Sequence, residues 1–332
     1  MRRLTTVAAL LGLLAGGSHA AENAPDARSV WTAAWTTVCV IPWGAGDGKL
    51  KEEIRSTDER QAYRGPTRIL ALDGGKLAIL DTLGSAVKEF DESGKMLRAL
   101  PYPENDSRDA ETLCIDMGSP RPGEYRVLSL GQQAVLTLSQ KGEPVAHKIS
   151  GTHKDSLLWA MACDAAGASY VLDANDNTLL RMDAAGRPLP AFKHDLAAAL
   201  VLDSSGRFYN MRLASKSSAR AYELVRWTPG SEPVVLGRVT SRQEINRVDV
   251  FGTDAAGNIY AFLGMGAIEN PSRLIVARFD ATGKQTGQAP APPDPIELKF
   301  QHAKAVSPDG TVYAVAVDPK GLALMKLRAF GD

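Results

Sequence analysis

The sequence predicts an all-β fold, a six-bladed β-propeller with four-stranded antiparallel blades and a ring closed by an N-terminal strand. The first supporting observation is a recurring turn that begins with Asp and uses Gly for the positive φ that closes it. These turns are Asp73–Gly75, Asp116–Gly118, Asp164–Gly167, Asp203–Gly206, Asp254–Gly257 and Asp309–Gly310. Their mean spacing of about 47 residues fits either propeller blades or paired-helix repeats.

The residues between the turns distinguish these two architectures. Runs such as Tyr170–Leu172, Ile259–Leu263 and Val312–Val317 are short and rich in Val, Ile and Tyr, which indicates strands. The runs are also almost continuously apolar instead of alternating with polar residues. A strand buried on both faces has this pattern, and a blade packed between two neighbouring blades contains such strands.

The turns divide the chain into six blades. The expected spans are Pro66–Pro103, Glu111–Ile149, Leu157–Phe192, Ala197–Val239, Ile245–Pro290 and Leu298–Phe330. The sixth span lacks one strand, and an open edge would present unpaired backbone groups. We expect the N-terminal segment to complete this blade through Val38–Ile41 or Lys49–Ile54. Closure by one strand is preferred, and closure by two strands is the alternative.

The N-terminus has the features of a Sec-type signal peptide, residues 1–20. Arg2 and Arg3 precede an apolar run from Val7 to Ala15, and Ser18-His19-Ala20 provides small residues for cleavage. The run is too short to span a bilayer. The expected organisation is therefore a signal peptide (1–20), a segment that supplies the closing strand (21–65) and a propeller (66–332), with a periplasmic or secreted location.

Charge and cysteine content exclude several classes. Lys plus Arg and Asp plus Glu both number 38, and no basic block stands out, which disfavours nucleic acid and anionic membrane surfaces as partners. No other run is long enough for a membrane span in the mature chain. Three cysteines are too few for a disulfide scaffold. Cys114 and Cys163 are expected on neighbouring inner strands, where a disulfide and buried free thiols both remain open, with free thiols favoured.

The third blade resembles an NHL repeat, and the sixth resembles the repeat of TolB-type periplasmic propellers. The NHL resemblance rests on Asp164, Gly167, Tyr170–Asp173, Asn177, Arg181–Asp183 and Gly186. The TolB-type resemblance rests on Ser307–Gly310. The resemblance implies a ring with a central channel and two loop faces. It implies no single activity, because propellers host lactonases, lyases, dehydrogenases and binding modules.

Enzymatic propellers of the gluconolactonase type hold a divalent cation whose first ligand is the Glu of a Glu-Gly-Pro-like step. Here the step is Arg64-Gly65-Pro66, and a guanidinium is the wrong charge for that position. The segment Asp173–Asn177 alternates oxygen-bearing side chains, but Thr178 and Ala184 occupy the Gly and Glu positions of a calcium loop. It is predicted to be a turn, with weak Ca²⁺ binding as the remaining possibility, and no other cofactor or metal site is predicted.

A ligand site, if present, is expected at the channel mouth, where the innermost strands begin. The candidate ligand-binding residues are Arg64, Arg108, Asp109, Glu111, Trp159, Asp176, Asn177, Asn246, Arg247, His302 and Lys304. Both charge signs are present, which favours an organic or peptide ligand over a metal ion, and Trp159 offers a ring for stacking.

Two functional hypotheses follow. The favoured one is an exported scaffold that binds a protein or peptide partner in the cell envelope through its loop face, because no zinc spacing and no Gly-x-Ser-x-Gly elbow is present. The alternative is a diverged lactonase, esterase or lyase that uses channel carboxylates such as Asp109 and Glu111. A quinone-dependent sugar dehydrogenase is a more distant third. The sequence identifies no catalytic residue.

Overall fold

The computed structural model describes residues 34–57, 60–103, 114–193, 200–215, 218–266, 271–292 and 303–330. In this part of the chain the structure is built of strands, apart from a single 3-10 turn at Asp73–Gly75. Three strands precede the first blade: β1 (Trp35–Pro42), β2 (Glu53–Thr57) and β3 (Arg60–Arg64). The last two form a separate antiparallel hairpin. No helix in the described ranges is long and apolar enough to cross a membrane.

The remaining strands form the blades, each in chain order from the inside of the ring outwards. The first blade contains β4 (Arg68–Ala71), β5 (Leu77–Asp81), β6 (Ala86–Phe90) and β7 (Met96–Pro101). The second contains β8 (Cys114–Arg121), β9 (Glu124–Ser129), β10 (Ala134–Ser139) and β11 (Gly142–Lys148). The third contains β12 (Leu158–Cys163), β13 (Ser169–Asp173), β14 (Thr178–Met182) and β15 (Pro188–Lys193).

The other three blades have the same order. The fourth contains β16 (Val201–Leu202), β17 (Phe208–Ser215), β18 (Ser218–Trp227) and β19 (Val234–Thr240). The fifth contains β20 (Ile245–Thr253), β21 (Ile259–Gly266), β22 (Pro271–Phe279) and β23 (Gln285–Pro290). The sixth contains β24 (Lys304–Val306), β25 (Val312–Asp318), β26 (Gly321–Leu327) and, as its outermost strand, β1. The predicted six-bladed propeller is therefore confirmed.

The hydrophobic core is divided among the interfaces between consecutive blades. Six buried apolar clusters occur among the described residues, and each joins two neighbouring blades, including the sixth to the first. Strand β5 shows the arrangement: Leu77 and Ile79 face the sixth blade, whereas Ala78 and Leu80 face the second. Because successive side chains of a strand point to opposite faces, a strand buried on both faces is apolar throughout.

One N-terminal strand closes the ring. β1 pairs antiparallel with β26, from Trp35 opposite Leu327 to Pro42 opposite Gly321. Val38–Ile41 lies within this strand, whereas Lys49–Ile54 lies outside the sixth blade and ends in the β2–β3 hairpin. Closure by one strand, the preferred alternative, is the observed one.

Two tryptophans hold the closing strand against its neighbours. Trp35 Nε1 donates to the carbonyl of Pro290 at 2.7 Å, which joins the fifth blade. Trp43 Nε1 donates to the carbonyl of Asp318 at 3.0 Å, at the end of β25. Their rings also pack against the apolar clusters on either side of the sixth blade.

An Asp–Tyr pair recurs in the third, fourth and fifth blades. In each, the Asp that heads the first turn accepts a backbone N–H four residues later and the hydroxyl of a Tyr six residues later. The pairs are Asp164–Tyr170, Asp203–Tyr209 and Asp254–Tyr260, with Oδ2···OH distances of 2.9 Å. The carboxylate therefore ties the turn to the strand that follows it.

The second and sixth blades have Ser in place of this Asp, and their Tyr side chains bind the first blade instead. Tyr125 donates to Glu89 and Tyr313 donates to Glu92, so one glutamate is bonded from each neighbouring blade. Lys326 Nζ also reaches Glu92 at 2.8 Å. The first blade is thus held on both sides by Tyr–Glu hydrogen bonds, and the Glu92 contact lies across the point where the ring closes.

One predicted turn is misplaced. Asp116–Gly118, expected to be the first turn of the second blade, lies inside β8, and the turn lies instead between Arg121 and Glu124. Asp116 is completely buried and its carboxylate bonds to another blade, so it does not head a turn.

The three cysteines are free thiols. Cys114 packs in the cluster between the first and second blades, whereas Cys163 packs between the second and third. Burial raises the pKa of each of these two thiols to about 12 and that of Cys39 to about 11. The favoured expectation of free thiols is therefore the observed one.

We predict that the Glu92 contact stabilises the ring in a pH-dependent way. The hydrogen bond from Lys326, and to a smaller extent the one from Tyr313, lowers the pKa of Glu92 below its ordinary value of 4.5. Because the folded-state pKa is lowered, the stabilisation is present above 4.5 and is lost as the pH falls through the folded value. Glu92→Gln should lower the melting temperature near neutral pH, and the difference from the wild type should shrink in acid.

Thermal unfolding across this pH range measures the effect. Glu143→Gln, an exposed substitution on β11, is the control and should leave the melting temperature unchanged. A deficit for Glu92→Gln that stays constant from neutral to acid pH would contradict the assignment.

Candidate functional site

One end of the ring carries the connections that lead into the inner strands and the turns between the second and third strands of each blade. We call this end the mouth face. Its described parts include residues 82–85, 130–133, 149–157, 174–177 and 241–244. The opposite end carries the Asp-Gly turns. The predicted ligand site at the beginning of the inner strands belongs to the mouth face.

Three inner strands begin with a β-bulge at the mouth face. In β8, β12 and β20 the register with the neighbouring strand skips the second residue, and these residues are Ile115, Trp159 and Asn246. A bulge redirects a side chain out of the regular alternation. The effect is clearest in β12, where Trp159 is 39% exposed between the buried residues Leu158 and Ala160.

Six of the predicted candidates within the described residues lie at the mouth face. Trp159 and Asn246 are bulge residues, Arg247 follows Asn246, and Lys304 begins β24. Asp176 and Asn177 lie in the β13–β14 turn, as predicted for Asp173–Asn177, with Asn177 at φ 47°. Arg64 is the last residue of β3 in the separate hairpin. Arg108, Asp109, Glu111 and His302 lie outside the described residues.

Two of the candidates converge on one aromatic ring. The Arg247 guanidinium lies 5.1 Å from the centroid of the Phe262 ring, and Lys304 Nζ lies 4.1 Å from the same centroid. Lys304 is only 6% exposed, so the ring replaces part of the hydration that its ammonium loses. Beside them, Asn246 Nδ2 donates to the carbonyl of Gly266 at 3.0 Å. This group joins the fifth and sixth blades.

The third blade presents a second polar group, at the start of β12. His153 Nε2 lies 2.8 Å from Asp176 Oδ2, and Asp173 accepts the backbone N–H groups of Leu157 and Asn175. His153, Asp173 and Asp176 have ligand atoms that lie within 4.8 Å of one another. The hydrogen bond to Asp176 raises the pKa of His153.

His153 is not among the ligand-binding candidates predicted from the sequence, and Asp173 was predicted only as part of a turn with weak Ca²⁺ binding as the remaining possibility. His153 lies in the connection between the second and third blades, Asp173 is the last residue of β13, and Asp176 lies in the turn that follows. No metal-ligand spacing links these positions. The alternating oxygen side chains of Asp173–Asn177 were the one available signal.

A buried carboxylate holds three inner strands together beneath the mouth. Asp116, 0% exposed, accepts the N–H of Met161 at 2.7 Å in the third blade and its neighbour Met117 N–H at 2.8 Å. Arg68 Nε of the first blade lies 3.5 Å from its Oδ1. Burial raises the pKa of Asp116, while the Arg68 charge opposes this shift. The carboxylate therefore has a structural task.

The comparisons with known proteins support the fold. No family model matches the sequence, and no curated protein does. A solved protein of unknown function from Bacteroides thetaiotaomicron has a TM-score of 0.54 at 13% identity, covering 89% of this chain and 76% of its own. A streptogramin B lyase has a TM-score of 0.52 at 12% identity, covering 90% of this chain and 99% of its own.

A virginiamycin B lyase from Staphylococcus aureus is also similar, with a TM-score of 0.51, 13% identity and coverage of 84% of this chain and 99% of its own. At these identities the likeness concerns the fold alone. The comparisons thus support the six-bladed propeller, and two of the proteins with a similar fold are lyases. The NHL assignment stays a prediction.

We predict that Asp116→Ala lowers the free energy of unfolding by about 3–5 kcal/mol, because it leaves a buried guanidinium and two backbone donors without their acceptor. Asp116→Asn should cost less, since an amide oxygen still accepts from Met161 N–H. Urea denaturation measures both variants. Asp183→Ala is the control, because Asp183 accepts two N–H groups within its own turn. A loss for Asp116→Ala no larger than that of the control would contradict the inter-blade role.

Proposed function

We propose that the protein is exported and binds a peptide or protein partner in the cell envelope through its mouth face, with Trp159 as the central contact. The bulge in β12 carries this proposal, because it turns a large aromatic side chain towards solvent at the second position of an inner strand. The features of a signal peptide at residues 1–20 support export.

The surroundings of Trp159 suit a peptide. Tryptophan and arginine are the residues that most often dominate binding energy at protein interfaces, and they act where a polar rim surrounds them. His153 and Asp176 are exposed polar groups on the same blade as Trp159, and Arg247 provides a cation on the fifth blade. An apolar side chain of the partner would cover the indole, while these groups would bind its backbone and charges.

We predict that Trp159→Ala abolishes partner binding and leaves the fold intact, because the side chain is 39% exposed. Native mass spectrometry of the protein purified from its own envelope measures the bound mass. The control is Val145→Ala, which removes another exposed apolar side chain, on the outer strand β11, and should retain the partner. Retention of the same bound mass by Trp159→Ala would overturn the proposal.

A lyase or hydrolase is the second candidate function, and it is favoured by enzymes of known structure that have a similar fold. Two of them are lyases for streptogramin B and virginiamycin B, and another is a luciferin-regenerating enzyme with a TM-score of 0.50 at 12% identity, covering 84% of this chain and 96% of its own. An enzyme of this kind would act at the same mouth, with the sequence candidates Asp109 and Glu111 as its carboxylates.

The second candidate predicts turnover that depends on a metal ion. A panel of streptogramin B, lactones and esters, assayed with Ca²⁺, Zn²⁺ and Mn²⁺, should then show an activity that a chelator removes. Glu111→Gln should lower that activity more than Glu143→Gln, a substitution on the outer strand β11. No turnover under any of these conditions would eliminate the enzyme.

A further inference from the structure

We propose that His153, Asp173 and Asp176 form a site for a divalent transition-metal ion such as Zn²⁺ at the mouth face of the third blade. The site would use His153 Nε2, Asp176 Oδ2 and one oxygen of Asp173. It belongs to the third blade, whereas the Arg64-Gly65-Pro66 step, where the gluconolactonase-type resemblance would put a cation, leads into the first blade.

The first argument is the donor set. The two carboxylates come from the end of β13 and the turn after it, and the imidazole comes from the preceding connection between blades, so the fold itself assembles the three groups. Calcium sites use oxygen ligands, whereas imidazole suits zinc and similar ions. Two carboxylates and one imidazole also leave a fourth position open on a tetrahedral ion.

The second argument is the burial of the Asp173 carboxylate, since Asp173 is only 1% exposed. Within the described part of the chain, Leu157 N–H at 3.1 Å and Asn175 N–H at 3.2 Å both donate to Oδ1. Oδ2 accepts from neither of these groups and is the oxygen that would bind the ion. A buried carboxylate is normally compensated by a cation or by donors to both oxygens. A metal ion held with His153 and Asp176 would supply that compensation.

The distances require little movement. Two donors on one zinc ion at a tetrahedral angle are about 3.3 Å apart. His153 Nε2 and Asp176 Oδ2 are 2.8 Å apart, and the whole set lies within 4.8 Å. The ion would replace the proton on His153 Nε2 that is hydrogen-bonded to Asp176 Oδ2. This proton would be released to solvent. The ring proton would then lie on Nδ1, so the 3.2 Å contact from Asp155 N–H would be lost on loading.

The site is connected to the Trp159 bulge. Leu158 is paired with Asp173 across β12 and β13, and Leu157 N–H bonds to the Asp173 carboxylate. An ion on Asp173 would therefore hold the residues immediately before Trp159. This connection gives a spectroscopic signal for binding that does not depend on a partner.

Titration of the tag-free protein with ZnCl₂, followed by calorimetry and tryptophan emission, tests the proposal. We expect one saturable site, with affinity lowered about tenfold or more in His153→Gln and in Asp176→Asn, since even residues that only support a ligand have effects of this size. Both side chains are exposed, so the variants should keep the wild-type melting temperature without metal. His147→Gln, a histidine on β11, is the control and should bind like the wild type.

Emission should change on zinc binding in the wild type and not in Trp159→Phe. Absence of saturable zinc binding, or wild-type affinity in both His153→Gln and Asp176→Asn, would overturn the site. Calcium binding as tight as zinc binding, unaffected by His153→Gln, would overturn the role of the imidazole. Because the probe is the metal ion alone, these results are independent of whether a partner binds at Trp159.

Discussion

Apolar packing between neighbouring blades is the interaction on which the structure depends. Each four-stranded blade is buried on both faces, and every described core cluster lies between two consecutive blades. Burying one Leu or Ile side chain contributes roughly 1.5–3 kcal/mol, so each interface holds many times the contribution of a hydrogen bond. Every blade packs against two neighbours, including the sixth blade against the first. The closure of the ring therefore rests on β1, whose pairing with β26 gives the sixth blade its fourth strand.

Polar side chains add directional contacts to this packing. The repeated Asp–Tyr pairs act within single blades, whereas Asp116, Glu89 and Glu92 act between blades. The first blade, which follows the closing strand, has Leu72 and Ala78 where the third, fourth and fifth blades have the Asp and the Tyr. It instead accepts hydroxyl groups from both neighbours. The same chemistry, a tyrosine hydroxyl on a carboxylate, is thus used locally in the middle of the chain and across blades near its ends.

The mouth face combines rigid strands with irregular starting points. The bulges at Ile115, Trp159 and Asn246 arise where inner strands leave the ladder, and this is where a side chain can face solvent without opening an interface. The His153 cluster and the Phe262 group lie on different blades of the same face. A ligand at the mouth would therefore meet an acidic and imidazole surface on one side and cations on another.

The sequence by itself determined the propeller, its six blades and the N-terminal closure, because Asp-Gly turns and strands apolar on both faces are local patterns with one consistent packing. The turn predicted at Asp116 was wrong, because the local sequence of an aspartate followed by a glycine does not distinguish a turn from a strand residue that bonds to a neighbouring blade. Only the tertiary structure decided the exposure of Trp159, since a bulge depends on the register of two strands. It also decided the cluster of His153, Asp173 and Asp176, because their proximity comes from the folding of two separate connections onto one face.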